Sequence, residues 1–263
     1  MVVLITGVTG GLGQVIARIL TEGGMTVYGT SRKADQTISN CILLSMDIKD
    51  SDSIANTLRE IVAKEGRLDA VVNCVNEMII GNVEETSVEE FRSVFEHNVI
   101  GAYNICHQIL PYFKKQNNGV IVNMSSAGGE LAIPYMSAYT ASKFALEAFS
   151  EALYHELRDS PIDVVIMQPV AMHMKRPATG NHLHLTKGVK EQSKSHAMVK
   201  MMTNDTEASK LTPEKVANRI HKVLTSKKRP LRVRMDKAYA LSLLKCLAPQ
   251  SLMDLAFKKI LPV

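Results

Sequence analysis

The sequence is poor in cysteine and lacks long apolar runs. Its four cysteines, Cys41, Cys74, Cys106 and Cys246, lie far apart. They form neither the close pairs of a metal site nor the dense framework of a disulfide-stabilised secreted domain. No uninterrupted apolar stretch reaches the roughly 20 residues of a membrane-spanning helix. The first strand-like run starts at Val2, which leaves no place for a charged signal segment. We therefore expect a soluble, cytoplasmic protein with reduced cysteines.

Basic charge is concentrated towards one end of the chain. Residues 214–263 contain 12 Lys and Arg against 3 Asp and Glu, whereas residues 1–213 contain 19 against 23. The basic C-terminal extension, residues 227–263, is interpreted either as a solvated face or as a contact for an anionic membrane surface, a carrier-protein-bound substrate or acidic subunits. Nucleic acid is not expected, because no aromatic-bearing recognition motif accompanies the basic residues. The cluster contains Lys227, Lys228, Arg229, Arg232 and Arg234.

Short runs rich in Val and Ile alternate with longer segments of helical period. This alternation is typical of βαβ units and of a parallel sheet covered on both faces. The 263 residues, 46% of them hydrophobic, are enough for one full core, and they show no internal repeat or linker. We predict a single α/β domain over residues 1–263, a doubly wound Rossmann-type parallel sheet of about seven strands. Strands are predicted at 2–6, 25–31, 41–46, 69–75, 119–125, 163–168 and, more weakly, 231–235. Helices are predicted at 12–23, 51–64, 87–115, 137–159, 213–225, 237–247 and 250–261, with Asp50, Ser87 and Thr212 as N-caps.

A glycine-rich turn follows the first predicted strand. Residues 6–13 read TGVTGGLG and lead directly into a helix. In that context, backbone N–H groups and a helix N-terminus can approach a pyrophosphate. The candidate cofactor contacts are Gly7, Thr9, Gly11, Leu12 and Gly13.

Tyr139 and Lys143 form a YxxxK pair, and this spacing places both side chains on one helix face. A free phenol has a pKa of about 10, and a neighbouring ammonium favours the phenolate. The pair can therefore supply an acid–base group near working pH. Ser126 lies at the carboxyl end of a predicted strand, with Ser125 as an alternative beside it.

Together these motifs resemble the short-chain dehydrogenase/reductase family, in particular its hydroxysteroid-dehydrogenase-like or carbonyl-reductase-like members. The resemblance extends from residue 2 to about residue 169. It implies an oxidoreductase in which Tyr139 exchanges a proton with the substrate oxygen. It also implies that Ser126 hydrogen-bonds that oxygen, and that Lys143 lowers the pKa of Tyr139 and holds the nicotinamide ribose. Asn98, in the run HNVIG, corresponds to the family asparagine that holds a water in the proton relay.

In this family the end of the second strand selects the cofactor. Ser31 and Arg32 stand where an NAD-preferring site has an acidic residue, and a hydroxyl and a guanidinium suit a phosphate dianion. We therefore expect NADP(H) to be favoured over NAD(H). Asp47 and Ile48 match the family position that holds the adenine.

Two segments depart from the family pattern. The usual NNAG reads Asn73-Cys74-Val75-Asn76, which keeps the first asparagine as a cofactor contact. The usual PG reads Pro169-Val170, so the segment that contacts the nicotinamide keeps its proline and loses its glycine. The usual threonine four residues further on is replaced by Met174.

Residues 172–210 interrupt the alternation and are interpreted as a mobile loop or helical lid over the substrate. Methionine suits an irregular apolar lining, so the first hypothesis is a lipophilic ketone or alcohol; ordinary core methionines are the alternative. No metal is expected, because no carboxylate or cysteine completes a ligand set with the histidines. The methionines are Met172, Met174, Met198, Met201 and Met202, and the histidines are His173, His182, His184 and His196.

The predicted function has alternatives. Within the enzyme class, a 3-oxoacyl thioester or an intermediate of a biosynthetic pathway is also a possible substrate. Outside it, the fold could bind the dinucleotide as a non-catalytic sensor or scaffold. The resemblance further implies a homo-oligomer, a dimer or tetramer formed through the long helices at 87–115 and 137–159.

Overall fold

The computed structural model of the chain describes residues 1–33, 38–173 and 184–260. Besides the strands and helices, the chain forms a π-helical turn (Glu96–Ile100) and a 3-10 turn (Ala127–Gly129). The strands are β1 (Val2–Thr6), β2 (Thr26–Ser31), β3 (Ile42–Ser45), β4 (Ala70–Asn73), β5 (Ile79–Ile80), β6 (Gly119–Met124), β7 (Ile162–Gln168), β8 (His184–Leu185) and β9 (Arg232–Arg234). The helices are α1 (Gly11–Glu22), α2 (Ser51–Glu65), α3 (Val88–Phe95), α4 (Gly101–Gln116), α5 (Ser137–Glu156), α6 (Ser195–Ala208), α7 (Pro213–Thr225), α8 (Ala238–Leu247) and α9 (Gln250–Ile260).

Seven strands form one parallel sheet in the order β3-β2-β1-β4-β6-β7-β9. This confirms the predicted doubly wound fold. The chain runs outwards from β1 to β3 and then returns to β4 on the other side of β1, so the strand order reverses between β1 and β4. In open α/β sheets, ligands bind in the crevice at the carboxyl ends of the strands where the order reverses.

Both faces of the sheet are covered by helices, and successive strand residues point to opposite faces. Val3 and Ile5 pack with α1 and α7 on one face, and Leu4 packs with α2 and α4 on the other. All three side chains are fully buried. Burial on both faces explains why the first strand reads as a continuous apolar run rather than as an alternating one.

Local chemistry sets the helix ends where it was predicted. The Asp50 side chain accepts hydrogen bonds from the first turn of α2, Ser87 forms a capping box with Glu90 on α3, and Thr212 caps α7 ahead of Pro213. Each predicted strand is present, with bounds that shift by at most two residues. In the part of the chain that is described, no helix is both long and apolar enough to cross a membrane.

The structure interrupts one predicted helix, and it forms a regular helix within the segment that was interpreted as a mobile loop or helical lid. The single helix predicted at 87–115 is interrupted by the π-helical turn, in which the backbone N–H of Gly101 donates to the carbonyl of Glu96. The predicted irregular segment 172–210 contains the regular helix α6, which buries only Ser195 and Met198 among its described side chains. So narrow a buried face leaves no clear 3.6-residue pattern in the sequence. The short strands β5 and β8, which were not predicted, pair with each other and attach this segment to the rest of the fold.

Candidate active site

Polar side chains stand in a row at the carboxyl ends of the central strands. Thr6 of β1, Asn73 of β4 and Asn123 of β6 are direct neighbours in the sheet register. Thr6 Oγ1 accepts hydrogen bonds from the backbone N–H of Cys74 at 3.0 Å and of Val75 at 3.4 Å. Asn73 Nδ2 donates to Asn123 Oδ1 at 2.8 Å, while Asn73 Oδ1 has no partner among the described residues. The row holds the loop after β4 in the crevice and leaves one acceptor at a predicted cofactor contact.

At two positions of the glycine-rich turn there is no space for a side chain. Gly7 has a φ of +67°, and a Cβ there would lie 3.0 Å from Val75 Cγ2. A Cβ on Gly13 would lie 2.7 Å from the Gly7 carbonyl oxygen and 2.9 Å from Val8 Cα. Glycine is therefore required at both positions, one for the left-handed turn and one for the close approach of α1 to β1.

Among the described residues, no side chain caps the N-terminus of α1. Gly10 occupies the N-cap position without a side-chain hydrogen bond, and the helix starts at Gly11. The first backbone N–H groups, including that of Leu12, therefore receive no acceptor from the described side chains and suit an anionic ligand. Thr9 precedes them, and its carbonyl accepts a hydrogen bond from Gln14 Nε2 at 3.0 Å.

Two cations lie at the end of β2, beside this turn. The backbone N–H of Val8 donates to the Thr30 carbonyl at 3.1 Å, which places the end of β2 against the glycine-rich turn. Arg32 and Lys33 follow, and both are exposed. Ser31 Oγ accepts from the Lys33 backbone N–H at 3.3 Å. Lys33 was missed in the sequence interpretation, although a second basic residue next to Arg32 was visible there.

Asp47 and Ile48 follow β3 and are held by different partners. Asp47 Oδ1 accepts from the backbone N–H of Lys49 at 2.9 Å. Asn104 Nδ2 of α4 donates to the Ile48 carbonyl at 3.1 Å, and the Ile48 side chain is buried against Gly101. Because α4 holds Ile48, this predicted adenine contact has a fixed position at the edge of the crevice.

Lys143 lies buried beneath the crevice. Its side chain is 1% exposed, and its Nζ donates to the Met124 carbonyl at 2.9 Å. Burial lowers the pKa of Lys143 to about 8, and the negative charge of Glu147 one helical turn away opposes this effect. Lys143 therefore remains mostly protonated at neutral pH.

Tyr139 lies one turn before Lys143 on α5, and Lys143 Nζ is 5.7 Å from the centroid of its ring. Burial raises the pKa of Tyr139 above its usual value, and a hydrogen bond with Ser126 opposes that rise. The lowering of the Tyr139 pKa by Lys143 stays a prediction. In the structure the ammonium donates to the Met124 carbonyl, and Tyr139 belongs to an apolar cluster.

Ser126 begins the 3-10 turn after β6, and its Oγ accepts from the backbone N–H of Gly128 at 3.1 Å. Ser126 lies near Tyr139, since a Cβ on Gly128 would be 3.4 Å from Tyr139 Cε1 and 3.6 Å from Ser126 Oγ. Its neighbour Ser125 is buried, and its Oγ has no partner among the described residues. The Pro169 carbonyl accepts from the backbone N–H of Ala127 at 3.0 Å, so this predicted cofactor contact is joined to the turn that carries Ser126.

Asn98 lies in the π-helical turn and is buried. Its Nδ2 donates to the Glu77 carbonyl at 2.8 Å and to Ser142 Oγ at 2.9 Å, and its Oδ1 accepts from the Glu77 backbone N–H at 2.7 Å. Ser142 Oγ in turn donates to the Tyr139 carbonyl at 2.7 Å. Both N–H groups of the Asn98 amide donate to protein groups and its oxygen accepts one hydrogen bond, so the side chain ties the π-helical turn to α5. Its role in holding a water stays a prediction.

An apolar cluster surrounds Tyr139. Its buried members Ile80, Met136 and Met198 come from β5, the loop before α5, and α6. Three of the five methionines predicted to line the pocket belong to it, namely Met198, Met201 and Met202. Met172 instead packs against the core on the α1 side of the sheet, and Met174 lies outside the described residues. The remaining partly buried members are Met78, Ile133, Tyr135, Leu185 and Val199.

The histidines of the predicted lid serve other contacts. His173 Nδ1 is 3.0 Å from the Glu207 carbonyl, and His196 Nε2 is 3.2 Å from that of Lys190. His184 is part of β8, and His182 lies outside the described residues. Within the described ranges, no group of His, Cys, Asp and Glu side chains has the arrangement of a metal site.

A buried charge network lies behind the catalytic pair and was missed in the sequence interpretation. Arg232 of β9 donates to Glu147 Oε2 at 3.0 Å and to Glu151 Oε2 at 2.7 Å, both on α5. Gln168 Nε2 donates to Glu147 Oε1 at 2.9 Å. A Cβ on Gly129 would lie 2.9 Å from Glu147 Cγ, so the turn that carries Ser126 rests directly on Glu147. The only local signal was the position of Glu147, one helical turn after Lys143.

Ion pairs within the fold also correct the interpretation of the basic C-terminal extension. Arg229 pairs with Asp163 at 2.6 Å, and Arg234 pairs with Glu130 at 2.6 Å. With Arg232, three of its cations are therefore neutralised within the fold rather than presented to a partner. The net charge of this segment therefore overstates the number of cations that its surface leaves unpaired.

Comparison with known proteins identifies relatives over most of the chain. The family model for short chain dehydrogenases matches residues 1–179. A 3-ketodihydrosphingosine reductase from Bacteroides thetaiotaomicron is 33% identical over 234 residues, which cover 89% of this chain and 87% of that protein. An NADPH-dependent pterin aldehyde reductase from Arabidopsis thaliana is 33% identical over 177 residues, 64% of this chain and 73% of that protein. A solved structure of a short-chain dehydrogenase from Streptomyces avermitilis has a TM-score of 0.84 and is 27% identical in sequence. The match covers 98% of this chain and 96% of that chain.

Proposed function

The chain belongs to the short-chain dehydrogenase family, and from that premise we propose that it is an NADP(H)-dependent oxidoreductase that interconverts a ketone or aldehyde with the corresponding alcohol. The observation that carries the proposal is the position of Ser126 beside Tyr139 at the carboxyl edge of the sheet, with Lys143 buried one helical turn away and its Nζ 5.7 Å from the centroid of the Tyr139 ring. Two neighbouring hydroxyl groups can both reach a single carbonyl oxygen placed between them.

In the reducing direction, Ser126 and Tyr139 hydrogen-bond the substrate oxygen. The Oη–H bond of Tyr139 breaks as its proton passes to that oxygen, and Lys143 stabilises the resulting phenolate. When bound, the nicotinamide cofactor supplies the hydride that adds to the carbonyl carbon. Asn98 acts through its bond to Ser142, which fixes the register of α5 and hence the position of Tyr139.

The residues around the turn fit a phosphorylated dinucleotide. Gly7 and Gly13 leave the backbone bare at the N-terminus of α1, where the first N–H groups have no side-chain cap. Arg32 and Lys33 lie beside that turn, where a 2′-phosphate would require cations. The NADPH dependence named for the Arabidopsis relative supports the same preference.

For the substrate, we propose a lipophilic ketone with a long apolar chain, of the kind that 3-ketodihydrosphingosine represents. The support is the apolar cluster around Tyr139, to which α6 contributes Met198, Met201 and Met202. In this interpretation α6 is the substrate lid of the single domain. A pterin aldehyde is less favoured, because its polar ring would leave hydrogen-bonding groups unpaired against such a lining.

The test follows NADPH oxidation with 3-ketodihydrosphingosine, a pterin aldehyde, a 3-oxoacyl thioester and a short water-soluble ketone. Tyr139→Phe should lower kcat by about 10²–10⁴-fold because it removes the proton donor. NADPH binding should change little, since the ring remains. If the Tyr139→Phe protein turns over like the wild type, or if no dinucleotide binds, the enzyme proposal is wrong and a sensor or scaffold role is favoured.

Members of this family are commonly oligomers. We extend that expectation to this chain and expect it to act at a cytoplasmic location. Light scattering with and without NADPH would measure the assembly directly.

A further inference from the structure

An apolar stripe runs along the outer side of α8. Tyr239, Leu243 and Leu247 are spaced four residues apart and lie on one helix face. They are 65%, 49% and 74% exposed. Large apolar side chains this exposed and this regularly spaced on a monomer surface indicate a contact with something else.

The stripe continues onto α9. Leu252 and Leu255 are each 50% exposed, whereas Met253 between them is buried. Lys258 and Lys259 follow in the last turn, and both are exposed. The outer surface of α9 therefore places leucines beside lysines, the pattern of an element that lies in a membrane interface.

The opposite side of α8 is already used to attach it to the domain. Ala238 is buried. Lys245 donates to the Glu130 carbonyl, and its Nζ lies 4.4 Å from the centroid of the Phe144 ring. Because α8 already packs on the domain through this side, its exposed leucines do not belong to the face that packs on the core.

The two helices also lie at the catalytic edge. β9 runs parallel to β7, with Arg234 opposite Gln168, so α8 starts at the same edge of the sheet as Ser126. Glu130, which Lys245 contacts, follows directly after the 3-10 turn that begins at Ser126. A surface on which α8 and α9 rest would therefore face the mouth of the candidate active site.

We propose that Tyr239, Leu243, Leu247, Leu252 and Leu255 form a membrane-contact face that rests on an anionic lipid bilayer without crossing it. Charge complementarity selects this occupant: Lys258 and Lys259 directly follow the leucines of α9 and are exposed, whereas Lys245 is turned towards the domain. Two copies of the chain joined through this face would bring those lysines near each other. A lipid ketone is available to an enzyme only at a membrane, so membrane contact would bring the enzyme to its substrate. This part of the proposal rests on the proposed function.

The first experiment measures co-flotation of the full chain with vesicles of phosphatidylcholine alone and of phosphatidylcholine with phosphatidylserine. We expect binding that increases with phosphatidylserine and decreases with salt. The double variant Leu243→Glu/Leu247→Glu should weaken binding by about tenfold or more, because two leucines of the membrane-contact face are replaced by charges. Ile42→Glu is the matched control, since Ile42 is 38% exposed on β3, the opposite edge strand of the sheet.

A second measurement does not depend on a variant that weakens binding. The chain has no tryptophan, so Leu247→Trp introduces a single fluorophore. Its emission should shift to shorter wavelength with the anionic vesicles, and that of Ile42→Trp should not. If the wild type stays unbound with both vesicle types, or if the double variant loses only self-association in light scattering, the proposal is wrong.

Neither measurement requires turnover, so the result on vesicle binding is independent of the test of the proposed function. If the protein binds vesicles but reduces no ketone, the membrane-contact face is correct and the proposed substrate is wrong. If both hold, the double variant should keep its kcat for the short water-soluble ketone and show a raised KM for a ketone embedded in vesicles.

Discussion

The ion pair between Arg232 and Glu147 supports both the fold and the catalytic edge, and its removal should be measurable in each. Arg232→Met keeps the length of the side chain and removes the cation. Glu147 is only 5% exposed, so its carboxylate would remain buried beside Gln168 without its direct ion pair to Arg232. Removal of one partner of a buried pair costs about 3–5 kcal/mol. The Arg232 side chain is 22% exposed, so we expect a loss of about 2–3 kcal/mol in the free energy of unfolding.

A double-mutant cycle separates this interaction from the packing of the arginine stem. Glu147→Gln removes the charge that Arg232 neutralises, so the double variant should recover about 1–2 kcal/mol relative to the sum of the single changes. Urea denaturation at neutral pH provides each free energy, with equal slopes as the check that the variants unfold in the same way.

The activity measurement tests whether the network also positions Ser126. Because the turn at Gly129 packs on Glu147 Cγ, Arg232→Met should lower kcat by about tenfold through a small displacement of the Ser126 hydroxyl. Arg229→Met is the matched control. It removes a similarly placed ion pair to Asp163, at the start of β7 and away from the catalytic edge. A coupling energy below about 0.5 kcal/mol, or an equal fall of kcat in Arg229→Met, would refute this reasoning.

Three further predictions follow from the cofactor side of the crevice and from the charge network. Gly13→Ala should abolish dinucleotide binding in a fluorescence titration because its Cβ would meet backbone at 2.7 Å, whereas Gly10→Ala, with its nearest contact at 3.4 Å, should bind normally. Arg32→Ala should weaken NADPH binding by about tenfold to a hundredfold and leave NADH binding unchanged; equal losses for both would contradict a 2′-phosphate contact. Burial raises the pKa of Glu130, but the hydrogen bond from Arg234 outweighs it and lowers the pKa to about 2. The contribution of Glu130 to the free energy of unfolding should therefore be complete above about pH 5 and lost as the pH falls towards 2. Urea denaturation across this pH range should show a smaller loss of stability in Arg234→Ala than in the wild type.

The parts of the site that were predictable are those with a local backbone or spacing requirement. Gly7 needs a positive φ and Gly13 a close approach, and both requirements appear in the sequence as glycines after an apolar run. Tyr139 and Lys143 share a helix face because four residues separate them. Such features depend on neighbours in the chain, which the sequence displays directly.

The features that were missed depend on contacts between distant residues. Arg232 is 85 residues from Glu147 along the chain, and its sequence neighbours made it look like part of a solvated basic surface. Only the position of β9 beside β7 brings it to α5. The narrow buried face of α6 escaped detection because the partner of that helix is the apolar cluster around Tyr139 rather than the main core.

Asn98 makes contacts that the sequence did not predict, and its role in holding a water stays a prediction. The sequence places an asparagine after His97, and the resemblance implies a water held in a proton relay. In the structure, all three hydrogen bonds of its amide go to Glu77 and Ser142, and forming them coincides with the π-helical turn that interrupts the predicted helix. A π-helical turn displaces the following residues relative to an α-helix, and such turns are frequent at functional sites. The interrupted helix therefore places Asn98 against Ser142 of α5, whose hydroxyl donates to the Tyr139 carbonyl.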